Sequence, residues 1–174
     1  MNTDIILSGV GGQGILSIAT IIGAAAINDN LYIKQAEVHG MSQRGGDVQS
    51  NLRISSAPIA SDLIPLGKAD LIISLEPMEA MRYLPYLKKD GVVITNTQRL
   101  NPMSVVMGKA SYPDDILEKI KAAGVNPVEV DALALAEEAG SAKSVNVVLL
   151  GIAAKHIGLD KQLWLDAVKS TVPP

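Results

Sequence analysis

Three apolar stretches, at residues 5–9, 31–38 and 48–55, read as strands, and the spacing between them constrains the fold more than any other feature of the chain. Between the first two lies a helical pattern at 15–27, with Ile15, Ile18, Ala19 and Ile22 on one face, stopped by Asn28-Asp29-Asn30. Strand, helix and strand make a βαβ unit, whose strands run parallel with a right-handed crossover. Between the second and third strands there are only eight residues, His39 to Gly46. A parallel crossover needs about a dozen or more, so as neighbours these two strands pair antiparallel. The sheet is therefore expected to be mixed, and a pure dinucleotide-binding sheet is not expected.

The rest of the chain keeps alternating. Residues 70–75 form a buried strand. Glu76-Pro77 opens a helix carrying Met78, Met81, Leu84 and Leu87, with proline in the first turn where its missing N–H costs nothing. Asp90-Gly91 is read as a turn and 92–95 as a further strand. In 48–55, Val48, Ser50, Leu52 and Ile54 alternate with polar residues, the pattern of a half-buried strand. Asp114 is read as the cap of a helix at 115–123 closed by Gly124, followed by a strand at 128–130 and helices at 132–139, 145–157 and 161–170. No repeat or linker interrupts this. The expectation is one domain over 1–174, a three-layer α/β/α sandwich with a mixed, mostly parallel sheet.

Composition narrows the chemistry. Hydrophobic residues make up 48% of the 174, enough for a full core, but aromatics are 3% and Phe is absent, so that core is aliphatic. With no Cys, the chain cannot supply a disulfide, a thiolate nucleophile or a thiolate-bound metal or cluster. Two His are too few for a His-rich metal site. Fifteen basic residues against eighteen acidic give no bulk attraction to nucleic acid or anionic lipid. The longest apolar stretch is too short to span a bilayer, and Met1-Asn2-Thr3-Asp4 lacks a basic leader; a cytoplasmic location is expected.

Two stretches carry the functional signal. Gly9-Val10-Gly11-Gly12-Gln13-Gly14 fits G-x-G-x-x-G between a strand and a helix. In that pattern the first glycine permits the turn, the second lets backbone approach a ligand, and the third packs helix on strand, with the helix N-terminus favouring an anion. Glu37 falls near where a dinucleotide enzyme places its ribose-binding acid. The pattern serves equally as a tight βα connection whose glycines only pack. The second stretch is Glu37-Val38-His39-Gly40-Met41-Ser42-Gln43-Arg44-Gly45-Gly46, which sets an acid, an imidazole, an amide and a guanidinium among glycines between two strands. A solvated hairpin loop is the plainer account. Gly9, Glu76 and Asn96 each follow a parallel strand, which brings them to the carboxyl rim where open α/β sheets bind ligands; Glu76 suits the first turn of its helix as well.

These motifs, with Leu75-Glu76-Pro77-Met78-Glu79-Ala80-Met81-Arg82 and Asn146-Val147-Val148-Leu149-Leu150-Gly151, resemble the gamma-type domain of 2-oxoacid:ferredoxin oxidoreductases, in order and over nearly the whole chain, with the indolepyruvate branch as the nearest pattern. The resemblance implies a subunit of an enzyme that decarboxylates a 2-oxoacid, here an aryl-pyruvate, on thiamine diphosphate, passes electrons through iron–sulfur clusters to ferredoxin, and releases an acyl-CoA. It implies that thiamine diphosphate, magnesium, the clusters and CoA belong to the assembled enzyme and none to this chain alone. The implied partner is the thiamine- and cluster-bearing catalytic subunit, with ferredoxin reached indirectly and neither nucleic acid nor membrane involved; an isolated copy can self-associate as a homodimer. The residues expected to face a ligand or the active site are Gly9, Gly11, Gly12, Gln13, Gly14, Glu37, His39, Gly40, Met41, Ser42, Gln43, Arg44, Gly45, Gly46, Glu76 and Asn96. None is assigned catalysis or metal binding. The competing reading is a stand-alone NAD-binding oxidoreductase or a nucleotide-binding module built on the glycine turn and Glu37.

Overall fold

The computed structural model describes residues 1–39 and 46–172. Six strands form one sheet in the order β2-β3-β1-β4-β5-β6: β1 (Asn2–Val10), β2 (Tyr32–His39), β3 (Asp47–Ser55), β4 (Ala69–Ser74), β5 (Leu87–Asn96) and β6 (Val128–Val130). β1, β4, β5 and β6 pair parallel in turn, while β3 lies antiparallel to both β1 and β2. β2 thus runs with β1, but β3 is inserted between them. The short connection at 39–46 dictated the antiparallel pair; the long β1–β3 register, Asn2 opposite Ser55 to Val10 opposite Asp47, shows why β3 wins the central place.

Side chains alternate across this sheet into two cores. Ile5, Leu7, Leu71 and Ile73 face α1 (Ile15–Asn28), α6 (Val145–Ile157) and α7 (Lys161–Thr171), with Trp164 anchoring α7 there. Ile6, Ile72 and Val93 face Ala80 and Tyr83 of α2 (Pro77–Tyr83) and Ile116 and Ile120 of α4 (Ile116–Ala122). The three-layer α/β/α architecture follows. A short α3 (Met103–Val106) and α5 (Ala132–Glu138) complete the helices of the described residues, none of which is long and apolar enough to cross a membrane.

Four local expectations are corrected. β3 is buried on both faces: Gln49, Asn51 and Ser55 are buried, because the segment after β3 folds back, with Asn51 Oδ1 accepting the Ile64 N–H (3.2 Å) and Arg53 reaching Asp4, Ser61 O and Leu63 O. The helix at Pro77 stops at Tyr83, since Pro85 allows only the tighter turn Leu84–Tyr86, and Leu87 already belongs to β5. Asp90-Gly91 is an irregularity inside β5: Leu87 pairs with Ala69 but Val92 with Leu71, with Asp90 in the left-handed region at φ 63°. Asp115, not Asp114, stands at the start of α4, where its carboxylate pairs with Lys119 (2.9 Å) rather than capping an amide, and Asp114 binds Arg99 (2.7 Å).

Candidate functional site at the carboxyl rim

β1 ends beside the glycine turn, and several polar groups of that turn are paired within the chain. Gly11 N–H donates to Gly46 O (2.9 Å) and Gln13 N–H to Val10 O (3.2 Å). The Gln13 side chain then staples the turn: its Oε1 accepts the Val10 N–H (2.7 Å) and its Nε2 donates to Leu75 O at the end of β4 (3.1 Å). Gly9 is an in-register strand residue opposite Val48, and a Cβ there would meet Gln13 Oε1 at 2.7 Å. Its glycine makes room for the staple. The left-handed backbone falls on Gly12 (φ 100°) and Gly14 (φ 83°). Gly14 is also crowded by α6, where Asn146 Nδ2 donates to Gly14 O (3.4 Å) and would lie 2.7 Å from an added Cβ.

This arrangement differs from a dinucleotide cradle in two ways. A phosphate nest needs convergent free amides, and two of this turn's amides already have backbone partners. An NAD site places its acid on the strand beside β1, whereas here β3 intervenes, so Glu37 stands two strand spacings away, roughly 10 Å. What remains is an open cleft of about 490 Å³, walled by the turn, by Ile15 and Leu16 of α1, and by Glu37, His39 and Val48. α1 begins there without a side-chain cap or an acidic first-turn residue, so its positive end meets the cleft, with the Glu37 carboxylate on the facing wall.

Gly11, Gly12, Gln13, Gly14, Glu37 and His39 are thus brought together around one cleft. Gly46 ties the second motif to the turn through its carbonyl. Gly40, Met41, Ser42, Gln43, Arg44 and Gly45 lie outside the described residues. Glu76 and Asn96 reach the rim and are fully buried there. Glu76 caps α2, accepting from Met78 N (2.7 Å) and Glu79 N (3.1 Å) through one oxygen, and from the Tyr112 hydroxyl and Leu100 N (3.4 Å) through the other. Asn96 donates to Leu75 O and accepts from Ala132 N. Both groups brace the rim from behind.

Beneath α2 lies a polar set that the sequence did not announce. Glu79 is buried, its carboxyl pushed above the ordinary range by burial and only partly drawn back by Arg82, which donates to it at 2.9 Å. The Tyr83 hydroxyl donates to Asp47 (3.3 Å), and burial, reinforced by the Asp47 charge, holds that phenol well above its usual range. Burial and then Glu76 do the same for Tyr112. The i,i+3 spacing of Glu79 and Arg82 was the available signal for the ion pair; no sequence signal pairs Tyr83 with Asp47.

The family model for pyruvate ferredoxin/flavodoxin oxidoreductase matches residues 4–174. The chain belongs to this family. It is 42% identical over 176 residues to the indolepyruvate oxidoreductase subunit IorB of Thermococcus kodakarensis, covering 98% of this chain and 87% of that one. It is 30% identical over 171 residues to the pyruvate/ketoisovalerate oxidoreductases common subunit gamma of Pyrococcus abyssi, covering 97% and 84%. Among solved structures, the gamma subunit of the keto/oxoacid ferredoxin oxidoreductase of Geobacter sulfurreducens superposes with a TM-score of 0.68 at 25% identity, covering 98% and 87%.

Proposed function

We propose that this chain is the gamma-type subunit of a 2-oxoacid ferredoxin oxidoreductase, that it forms one wall of the assembled active site, and that the oxoacid is an aryl-pyruvate. The observation that carries the wall reading is the Gln13 staple: a turn tied to Val10 and Leu75 through the Gln13 side chain holds a shape for something else to use. The donor set agrees. There is no Cys in the chain, and among the described residues no group of three or more His, Asp or Glu could hold a metal ion. With no thiolate to offer, this chain leaves the iron–sulfur clusters to a catalytic partner, and in this reading the thiamine diphosphate and the electron path to ferredoxin lie there with them. A cytoplasmic setting goes with ferredoxin as acceptor. The aryl-pyruvate assignment follows the relatives named for indolepyruvate, 36–43% identical, over those named for pyruvate and ketoisovalerate, 28–30%. The latter are common subunits of two oxidoreductases, which supports placing the choice of oxoacid on the partner.

In this reading the cleft beside Glu37 and His39 excludes water from the partner's reacting centre. Arg44 supplies a fork for a carboxylate or phosphate of the oxoacid, CoA or thiamine diphosphate. The test is reconstitution with a thiamine- and cluster-bearing catalytic subunit, following ferredoxin reduction driven by indolepyruvate and CoA. The chain alone should reduce nothing, and the pair should turn over. Arg44→Ala should leave the melting temperature and assembly unchanged while lowering turnover about 10- to 100-fold, the loss of one charge-assisted hydrogen bond. NAD binding by the chain alone, together with indifference to the partner, would overturn the reading in favour of a nucleotide module.

A further inference from the structure

Residues 100–108, Leu-Asn-Pro-Met-Ser-Val-Val-Met-Gly, contain no charged side chain. They build α3 and its exit, and they hold Met103, Val106 and Met107 at 69%, 67% and 59% exposure. Single exposed apolar residues are ordinary, but three within five positions make a knob of the kind that a free surface seldom keeps. Beside the knob is a recess of about 410 Å³, walled by Pro102, Met103 and Val106 together with Gly46 and the charged Asp47, Glu79 and Arg82. Gly46 closes the second motif and accepts the Gly11 N–H of the glycine turn. The recess thus joins the knob to Gly46, at the edge of the proposed active-site wall.

We infer that residues 103–107 seat the catalytic subunit, through an apolar segment of that subunit packing on Met103, Val106 and Met107 beside the recess that reaches Gly46. The inference rests on the subunit reading above and adds the place of contact. The continuity with Gly46 favours this occupant over a second copy of the chain. A homodimer would have no need to sit at the rim, and the uncharged helix α1, with Ile27 exposed far from the cleft, offers a copy an equal apolar face. Methionine suits the role because its unbranched side chain fits an irregular partner surface.

The experiment co-expresses the full chain with its catalytic subunit and measures co-elution, affinity and melting temperature. Met103→Glu/Val106→Glu should keep the wild-type melting temperature and weaken the pair at least tenfold. Met107→Glu, a milder variant, should weaken it in the same direction. Ile27→Glu/Leu165→Glu, on exposed positions of α1 and α7, should assemble as wild type. Wild-type retention of the partner by Met103→Glu/Val106→Glu overturns the inference. So does loss of the partner by the α1–α7 variant alone, or an effect of the α3 variant confined to self-association of the isolated chain. If the wild-type chain retains no such subunit, the parent reading fails and takes this one with it.

Discussion

Gln13 offers the sharpest separation between a residue that builds the rim and one that touches a ligand. In Gln13→Ala the Val10 N–H loses its acceptor, and Leu75 O loses one of two donors, keeping Asn96 at 3.4 Å. Each hydrogen bond is worth a net ~0.5–1.5 kcal/mol, and water reaches this half-buried turn, so the loss should be about 1–2 kcal/mol. For a chain of this size that lowers the melting temperature by about 2–8 °C. Gly9→Ala supplies the second arm of a cycle. Its Cβ would sit 2.7 Å from Gln13 Oε1, with Ile15 Cδ1 and Leu75 Cβ both at 3.2 Å. Removing Gln13 lifts the shortest of these clashes, so the double variant should lose less than the sum of the two, by a coupling of about 0.5–1.5 kcal/mol. Thermal and urea unfolding of the four proteins measure the cycle, and reconstituted turnover is read alongside. A Gln13→Ala protein with unchanged stability and reduced turnover, or strictly additive losses, would refute the staple and return Gln13 to the ligand.

Glu76→Ala removes the α2 cap and a buried acceptor of four donors, and should cost about 3–4 kcal/mol in urea unfolding, with Glu76→Gln about half that; a loss below about 1 kcal/mol contradicts the assigned role. For Glu79 the folded carboxyl binds its proton more tightly than the unfolded reference of 4.5, because burial outweighs Arg82. Native protein then holds the extra proton from that value up through the raised one, so this group's contribution to stability is full below pH 4.5 and falls as pH rises through the window. Glu79→Gln should flatten the fall in unfolding free energy across that window, and an unchanged slope refutes it.

The topology was legible because connection length and strand direction are physically coupled. The eight residues from His39 to Gly46 forbid a parallel crossover whatever their identity. Helices α1, α6 and α7 were legible from period and caps, to within a residue at their ends. The glycine turn was legible as a turn but not as one particular kind of site, since φ-positive glycines and close packing produce the same letters with or without a phosphate. Gly9 shows this well: it reads as the turn-former, yet its backbone is an ordinary strand and only the Gln13 amide demands its missing Cβ. Glu76 and Asn96 were correctly placed at the rim, but their saturation depends on Tyr112, Leu100 and Ala132, partners that no local pattern names. The Met103–Met107 knob had a signal, nine residues without charge, which period-based reading passes over because the segment is too short for either period.

The bracing of the rim bears on how labour is divided in this family. A site that binds its own ligand leaves donors unpaired until the ligand comes and accepts their desolvation cost in the meantime. Here Gly11, Gln13, Glu76 and Asn96 already have partners within the chain, which braces that part of the rim, while the uncapped start of α1 keeps its positive end toward the cleft. Such a surface contributes by position: it can narrow a channel, exclude water or hold a neighbouring loop, and those effects exist only opposite a second surface that carries the chemistry. The exposed apolar α3 beside Gly46 is the complementary feature, a face that water serves poorly and a partner serves well. Bracing within and an apolar face without are what a separately folded wall requires, because such a wall must first fold alone and then bury its edge against the subunit that does the reaction.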